Sequence, residues 1–178
     1  MGLSTTPLDT IARFSFAITA GVTILGWFVV ASQTERREYR KEVRDRVKDL
    51  ADVVTKVHNS AVAYWLTGDT ADAVAAAIAL KSDVKQLSRH AQTLREAGLE
   101  FDQPTLVSEI RKSATGGDFD KKRRKRGPGD AERLADTISG LEDLMLAIDT
   151  AFYEKFRPRR PIDIVKLFFL LAIIAIAL

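Results

Sequence analysis

At 178 residues the chain is long enough for one domain, and the 29% of its residues that are charged favour a helical module rich in surface. Its 27 Lys and Arg against 24 Asp and Glu give a formal charge of +3, which is too small by itself to indicate nucleic-acid binding. The absence of Cys excludes disulfides, thiolate metal sites and a cysteine nucleophile.

The first predicted element, after a tail over residues 1–10, is a transmembrane helix over residues 11–34. The 21 residues from Phe14 to Thr34 carry no charge. As a helix they rise about 32 Å, which matches a hydrocarbon layer of about 30 Å. Ala17 and Gly21 form a pair of small residues that predicts packing against another helix. A cleaved signal peptide is the alternative, but the stretch is long for one and its basic residues follow rather than precede it.

Residues 35–157 are predicted to form an antiparallel helical bundle or coiled coil. Apolar residues recur there in three stretches at alternating steps of four and three, which is the pattern of a buried helical seam. The three stretches are Val43, Val47, Leu50, Val54, Val57, Ala61 and Tyr64; then Ala77, Leu80, Val84, Leu87, Ala91 and Leu94; and then Leu134, Ile138, Leu141, Met145, Ile148 and Phe152. We expect these long helices to bury one another as the core.

Turn and cap residues divide the bundle. Thr67-Gly68 is expected to end the first of its helices and Gly98 the second. Asp102 is expected to cap a short third helix that, with the loop after it, carries the chain back to a fourth helix starting at Asp130. Tyr64 and Trp65 precede the first turn, where they either close the end of the bundle or protrude as an anchor for a partner.

The loop over residues 116–129 contains six consecutive cations: Lys121, Lys122, Arg123, Arg124, Lys125 and Arg126. Such a run favours an exposed, solvated loop, because like charges repel. Contact with anionic lipids or with a protein partner is the functional alternative. Nucleic acid is a less favoured partner, because no aromatic residue other than Phe119 accompanies the run to stack bases.

The last predicted element, residues 158–178, is a second transmembrane helix. Its final 12 residues are all apolar, but Asp163 and Lys166 precede them, so a tail lying at the membrane interface is the alternative. Basic residues flank both apolar segments on the side of the middle region. The positive-inside bias therefore places the bundle in the cytoplasm and both termini outside, in a multi-pass protein of the plasma (bacterial inner) membrane.

No motif for catalysis, a metal or a cofactor is present, so the chain is not expected to be an enzyme. His58 and His90 lie at helix positions that would not face each other, which disfavours a metal site. Gly116-Gly117-Asp118-Phe119 resembles the start of the nucleotide-cyclase signature only superficially, since no strands flank it.

The sequence therefore predicts an all-α protein whose two transmembrane helices flank a cytoplasmic bundle. The predicted function is that of a membrane-anchored interaction, scaffold or tethering module, with the lipid bilayer and a protein partner or second copy as its contacts. Two alternatives remain: an oligomeric pore-forming or membrane-perturbing effector, and a signal-relay subunit that needs a separate output partner.

Overall fold

The computed structural model describes residues 7–66, 71–117, 119 and 127–157; within these ranges, nothing is described of the side chains of residues 7–20, 22, 71 and 72. The described residues form four helices and no strands, which confirms the all-α prediction. The helices are α1 (Pro7–Leu66), α2 (Ala71–Glu96), α3 (Gln103–Thr115) and α4 (Gly129–Lys155).

The prediction of membrane-spanning helices is not supported. No helix is long and apolar enough to cross a membrane, among the residues described. This finding contradicts the predicted location in the plasma membrane. Residues 158–178, the second predicted span, lie outside the described ranges.

The chain divides into two compact units, residues 1–45 and 46–178, and the boundary falls inside α1. The second unit contains the helical bundle. In α2 the predicted seam is confirmed, because all six of its residues are buried. In α1 it is confirmed in part: Val47 and Val54 are only half-buried, whereas Val53, which was not predicted, is buried. Ser60 Oγ donates a hydrogen bond to Asp83 Oδ2 at 2.6 Å, which ties the two helices together.

The turn after α2 is set by Gly98. Its φ of +74° is left-handed, and it follows the last helical turn in a Schellman arrangement. The Gly98 amide donates to Arg95 O at 2.8 Å and the Leu99 amide to Leu94 O at 3.1 Å. The Leu99 side chain is buried, as the motif requires, so the predicted end of α2 is confirmed.

The short helix α3 is part of the core and not merely a connection. Asp102 caps it through a 3.4 Å bond from the Thr105 amide, as predicted, and Val107 and Ile110 are buried. Helix α3 contacts both α2 and α4. The apolar positions Leu106, Val107 and Ile110 predict this buried face, and the structure buries Val107 and Ile110 while Leu106 is half-buried.

The buried face of α4 differs from the predicted one because α3 packs against it. The buried residues are Thr137, Leu141, Leu144, Ile148 and Ala151. Of the predicted seam only Leu141 and Ile148 are fully buried. Gly140 explains the difference, since a Cβ there would stand 2.9 Å from Ile110 Cγ1. The glycine lets α3 approach α4 more closely than a larger residue would allow.

Candidate interaction surface

Helix α3 lies between α2 and α4, and a groove runs along each of its sides. The α2–α3 groove encloses about 740 Å³. Among the described residues that line it, four are cationic and none is acidic: Lys81, Lys85 and Arg89 from α2, and Arg111 from α3. All four are exposed to solvent. This groove is therefore a strongly basic surface.

The floor of the α2–α3 groove is apolar. Val84 and Val107 form part of its lining, and both are largely buried between the two helices. Pro104, in the first turn of α3, adds an exposed apolar surface at one end. The hydroxyl groups of Ser88 and Ser108 lie along the lining and can donate or accept hydrogen bonds. A ligand in the groove would meet cations around an apolar floor.

The α3–α4 groove, on the other side of α3, has the opposite charge balance. It encloses about 570 Å³. Its lining includes four carboxylates and two cations: Glu109, Glu132, Asp136 and Asp143, with Lys112 and Arg133. The described lining of the α2–α3 groove is thus basic, and that of the α3–α4 groove is mainly acidic.

The end of the bundle near the first turn is closed by an aromatic cluster. Tyr64 and Trp65 are 3% and 1% exposed, so they do not protrude as the anchor that was one of the two predicted alternatives. Phe119 packs on Tyr64 with ring centroids 4.5 Å apart and on Trp65 at 6.4 Å. The Lys81 ammonium lies 5.3 Å from the Phe119 ring centroid. The loop after α3 is therefore attached at the end of the α2–α3 groove.

The residues that the sequence singled out lie elsewhere. The basic run over residues 121–126 is outside the described part of the chain, so its predicted contact with lipid or a partner remains a prediction. Gly21 has nothing within 4 Å of the position a Cβ would take, and the Ala17 side chain is not described. Their predicted helix packing also remains a prediction.

The two histidines lie on different helices, His58 on α1 and His90 on α2. His58 lies 3.4 Å from the Asn59 side chain through Nδ1 and Oδ1. Across the described ranges, no three His, Cys, Asp or Glu residues are placed to hold a metal ion.

Comparison of the chain with protein-family models, with curated proteins and with solved structures finds no match. The function is therefore inferred from the charge and shape of the bundle surface.

Sequence reasoning missed the α2–α3 groove, although part of its signal is visible. Lys81, Lys85 and Arg89 are spaced by four residues and therefore share one helix face. The remaining part, Arg111, joins them only because the turn at Gly98 folds α3 back on α2. The run of six adjacent cations over residues 121–126 is the more conspicuous charge pattern in the sequence.

Proposed function

We propose that the helical bundle is a protein-interaction module that binds an acidic, partly apolar helical segment in the α2–α3 groove. The observation that carries this proposal is the set of four exposed cations around an apolar floor, in a lining whose described residues include no carboxylate.

The spacing of the cations favours a helical partner. Three of them, Lys81, Lys85 and Arg89, follow one another at intervals of four residues, or about 6 Å along the helix axis. A partner helix with carboxylates three or four residues apart presents acidic groups at nearly the same repeat. Charge pairs of this kind, exposed to solvent, contribute mainly to association rate and selectivity.

The apolar floor and the composition of the lining disfavour nucleic acid. No aromatic side chain is among the residues that line the groove, so it offers no platform for base stacking. Val84, Val107 and Pro104 instead fit the apolar residues of an amphipathic helix. The free energy of binding would come from that contact, with the cations selecting an acidic partner.

Site-specific photocrosslinking in the native cell tests this function. A benzophenone side chain placed at Ser108, which is exposed in the groove, is expected to capture a protein and give an adduct of defined mass. The same group at Thr55, on an exposed position of α1, serves as the site control. An adduct at Ser108 that is absent at Thr55 supports the proposal, whereas no adduct at Ser108 contradicts it.

Charge reversal in the groove gives the second arm of the test. Lys85→Glu with Arg89→Glu should abolish the Ser108 adduct, because the groove then repels an acidic helix. Lys48→Glu with Lys56→Glu makes the same change in net charge at exposed positions of α1 and should leave the adduct unchanged. Equal loss in both variants would mean that only the overall charge matters, and would overturn the role of the groove.

A further inference from the structure

We propose that the segment bound in the α2–α3 groove is helix α4 of a second copy of this chain, so that copies assemble head to tail. This inference rests on the proposed function of the groove and names its partner. Its basis is a comparison of two exposed helix faces of the same chain. They carry opposite charges, each has two large exposed apolar side chains, and the order of these residues along the helices suits antiparallel docking.

The exposed face of α4 has the composition that the groove requires. Helix α4 contains seven acidic and two basic residues. Leu146 and Tyr153, seven residues apart, are 67% and 69% exposed, which is unusual for large apolar side chains on one helix face. Six exposed acidic residues lie within the same half of the helix surface: Glu132, Asp136, Glu142, Asp143, Asp149 and Glu154.

The exposed face of α2 complements it. At 100° per residue, five exposed residues of α2 fall within one narrow stripe, here called the α2 stripe: Val74, Ile78, Lys81, Lys85 and Arg89. Val74 and Ile78 are 63% and 65% exposed. The α2 stripe thus contains the three cations that α2 contributes to the groove and, next to them, an apolar patch of two large side chains.

The order of residues along the two helices sets the direction of docking. In α2 the apolar pair precedes the cations, whereas in α4 four of the six acidic residues precede Leu146 and two follow it. Antiparallel docking therefore places the apolar pairs together and the cations against the carboxylates. Parallel docking would set Val74 and Ile78 against acidic residues, which costs desolvation without a partner.

The face of α4 is long enough to cover the α2 stripe. The α2 stripe extends over 15 residue steps from Val74 to Arg89, or about 22 Å. The face of α4 extends over 22 steps from Glu132 to Glu154, or about 33 Å. Part of the α4 face can therefore meet the α2 stripe along the whole length of that stripe.

Use of both faces gives a heterologous contact. The α2 stripe and the acidic face of α4 belong to different helices, with α3 between them. A copy that binds a neighbour through its α2 stripe still presents α4 to the next copy. Such a contact generates a series of oligomers, which ends only if a ring closes.

Sedimentation velocity of the purified full-length chain tests the inference. We expect concentration-dependent oligomers that dissociate as salt is raised, since the contact pairs exposed charges. Association through the apolar segments near the two chain ends is the competing explanation. It would be lost in a mild non-ionic detergent and would not depend on salt, so the measurement is repeated in that detergent. Assembly that shows that second pattern contradicts the inference.

Two complementary variants make the test specific. The groove variant carries Lys85→Glu and Arg89→Glu, and the face variant carries Glu142→Gln and Asp143→Asn. Each is expected to remain monomeric by itself. A mixture should form a 1:1 dimer that does not grow, because the intact α4 of the groove variant binds the intact groove of the face variant. The Lys48→Glu, Lys56→Glu variant should assemble like the parent chain.

The outcomes separate this inference from the function on which it rests. If the crosslinked adduct at Ser108 contains two copies of the chain, both are supported. If it contains a different protein and the pure chain stays monomeric, the interaction function stands and self-assembly is rejected. If the groove variant instead loses binding to a synthetic polynucleotide that the parent binds, while neither assembles, the groove recognises phosphate and both proposals fail.

Discussion

Gly98 is the residue on which the return of α3 depends. Its φ of +74° is a conformation that costs about 1–2 kcal/mol for a residue with a Cβ. A Cβ would also stand 2.5 Å from Lys155 Nζ, which donates to Ala97 O at 2.6 Å. The flexible ammonium can move aside, but that hydrogen bond between α4 and the turn is then lost.

We therefore expect Gly98→Ala to lower the free energy of unfolding by about 1–2 kcal/mol, mainly through backbone strain. Urea denaturation followed by circular dichroism measures the change, and the midpoint should fall while the slope stays constant. Gly129→Ala is the matched control, since nothing lies within 4 Å of its Cβ position at the start of α4. An unchanged midpoint for Gly98→Ala would show that the turn tolerates a side chain.

At the scale of helices, the close approach of α3 to α4 depends on Gly140 and Ile110. The neighbouring contact is polar: Thr137 Oγ1 lies 3.1 Å from Ser113 Oγ and 2.7 Å from Arg133 O. Thr137 is fully buried, so these bonds satisfy a hydroxyl group that would otherwise destabilise the core. The pair of helices is thus positioned by one small residue and one buried hydroxyl.

Gly140→Ala is expected to destabilise the protein by about 1 kcal/mol, although alanine favours helix formation, because the added methyl group overpacks the contact with Ile110. Ile110→Ala should cost about 2–5 kcal/mol through the cavity it leaves. In the double variant the alanine at position 140 no longer meets Ile110 Cγ1, so the losses should be less than additive. Additive losses in urea denaturation would place the two residues in independent environments.

The same helices show what the sequence could and could not predict. The seam of α2 and most of that of α1 follow directly from apolar spacing, since each helix buries one stripe against its neighbours. The stripe of α4 is rotated toward Thr137 and Leu144, because the small residue at 140 admits α3 at that side. The spacing of apolar residues does not show how closely two helices can approach each other. A glycine at a helix contact is also not counted as a hydrophobic position.

The charged surface was harder to predict for a related reason. Along the sequence, Lys81 and Lys85 are ordinary members of a mixed-charge helix. They form a basic groove only after the turn at Gly98 brings Arg111 beside them. Local composition predicted the individual helices. It did not predict the surfaces that several helices form together.

At the scale of the whole molecule, the buried side chains among those described lie between Val43 and Ala151. Burial of apolar area provides most of the free energy of folding, so we expect this region to be sufficient for a stable fold. The groove and the α2 stripe lie inside it, and the face of α4 ends three residues beyond it.

We expect a fragment of residues 38–157 to unfold cooperatively in urea with a midpoint close to that of the full chain, because it retains all of these buried side chains. A fragment of residues 54–157 is the control. It lacks Val43, Leu50 and Val53, which are 1%, 0% and 4% exposed, and their loss should remove several kcal/mol from a total of about 5–15 kcal/mol. Near-ultraviolet circular dichroism and dye binding distinguish a packed core from a loose one. If the fragment 38–157 binds the dye and lacks a near-ultraviolet signal, residues outside it are required for packing. If the fragment 54–157 unfolds like the full chain, the first turns of the α1 seam are not required for stability.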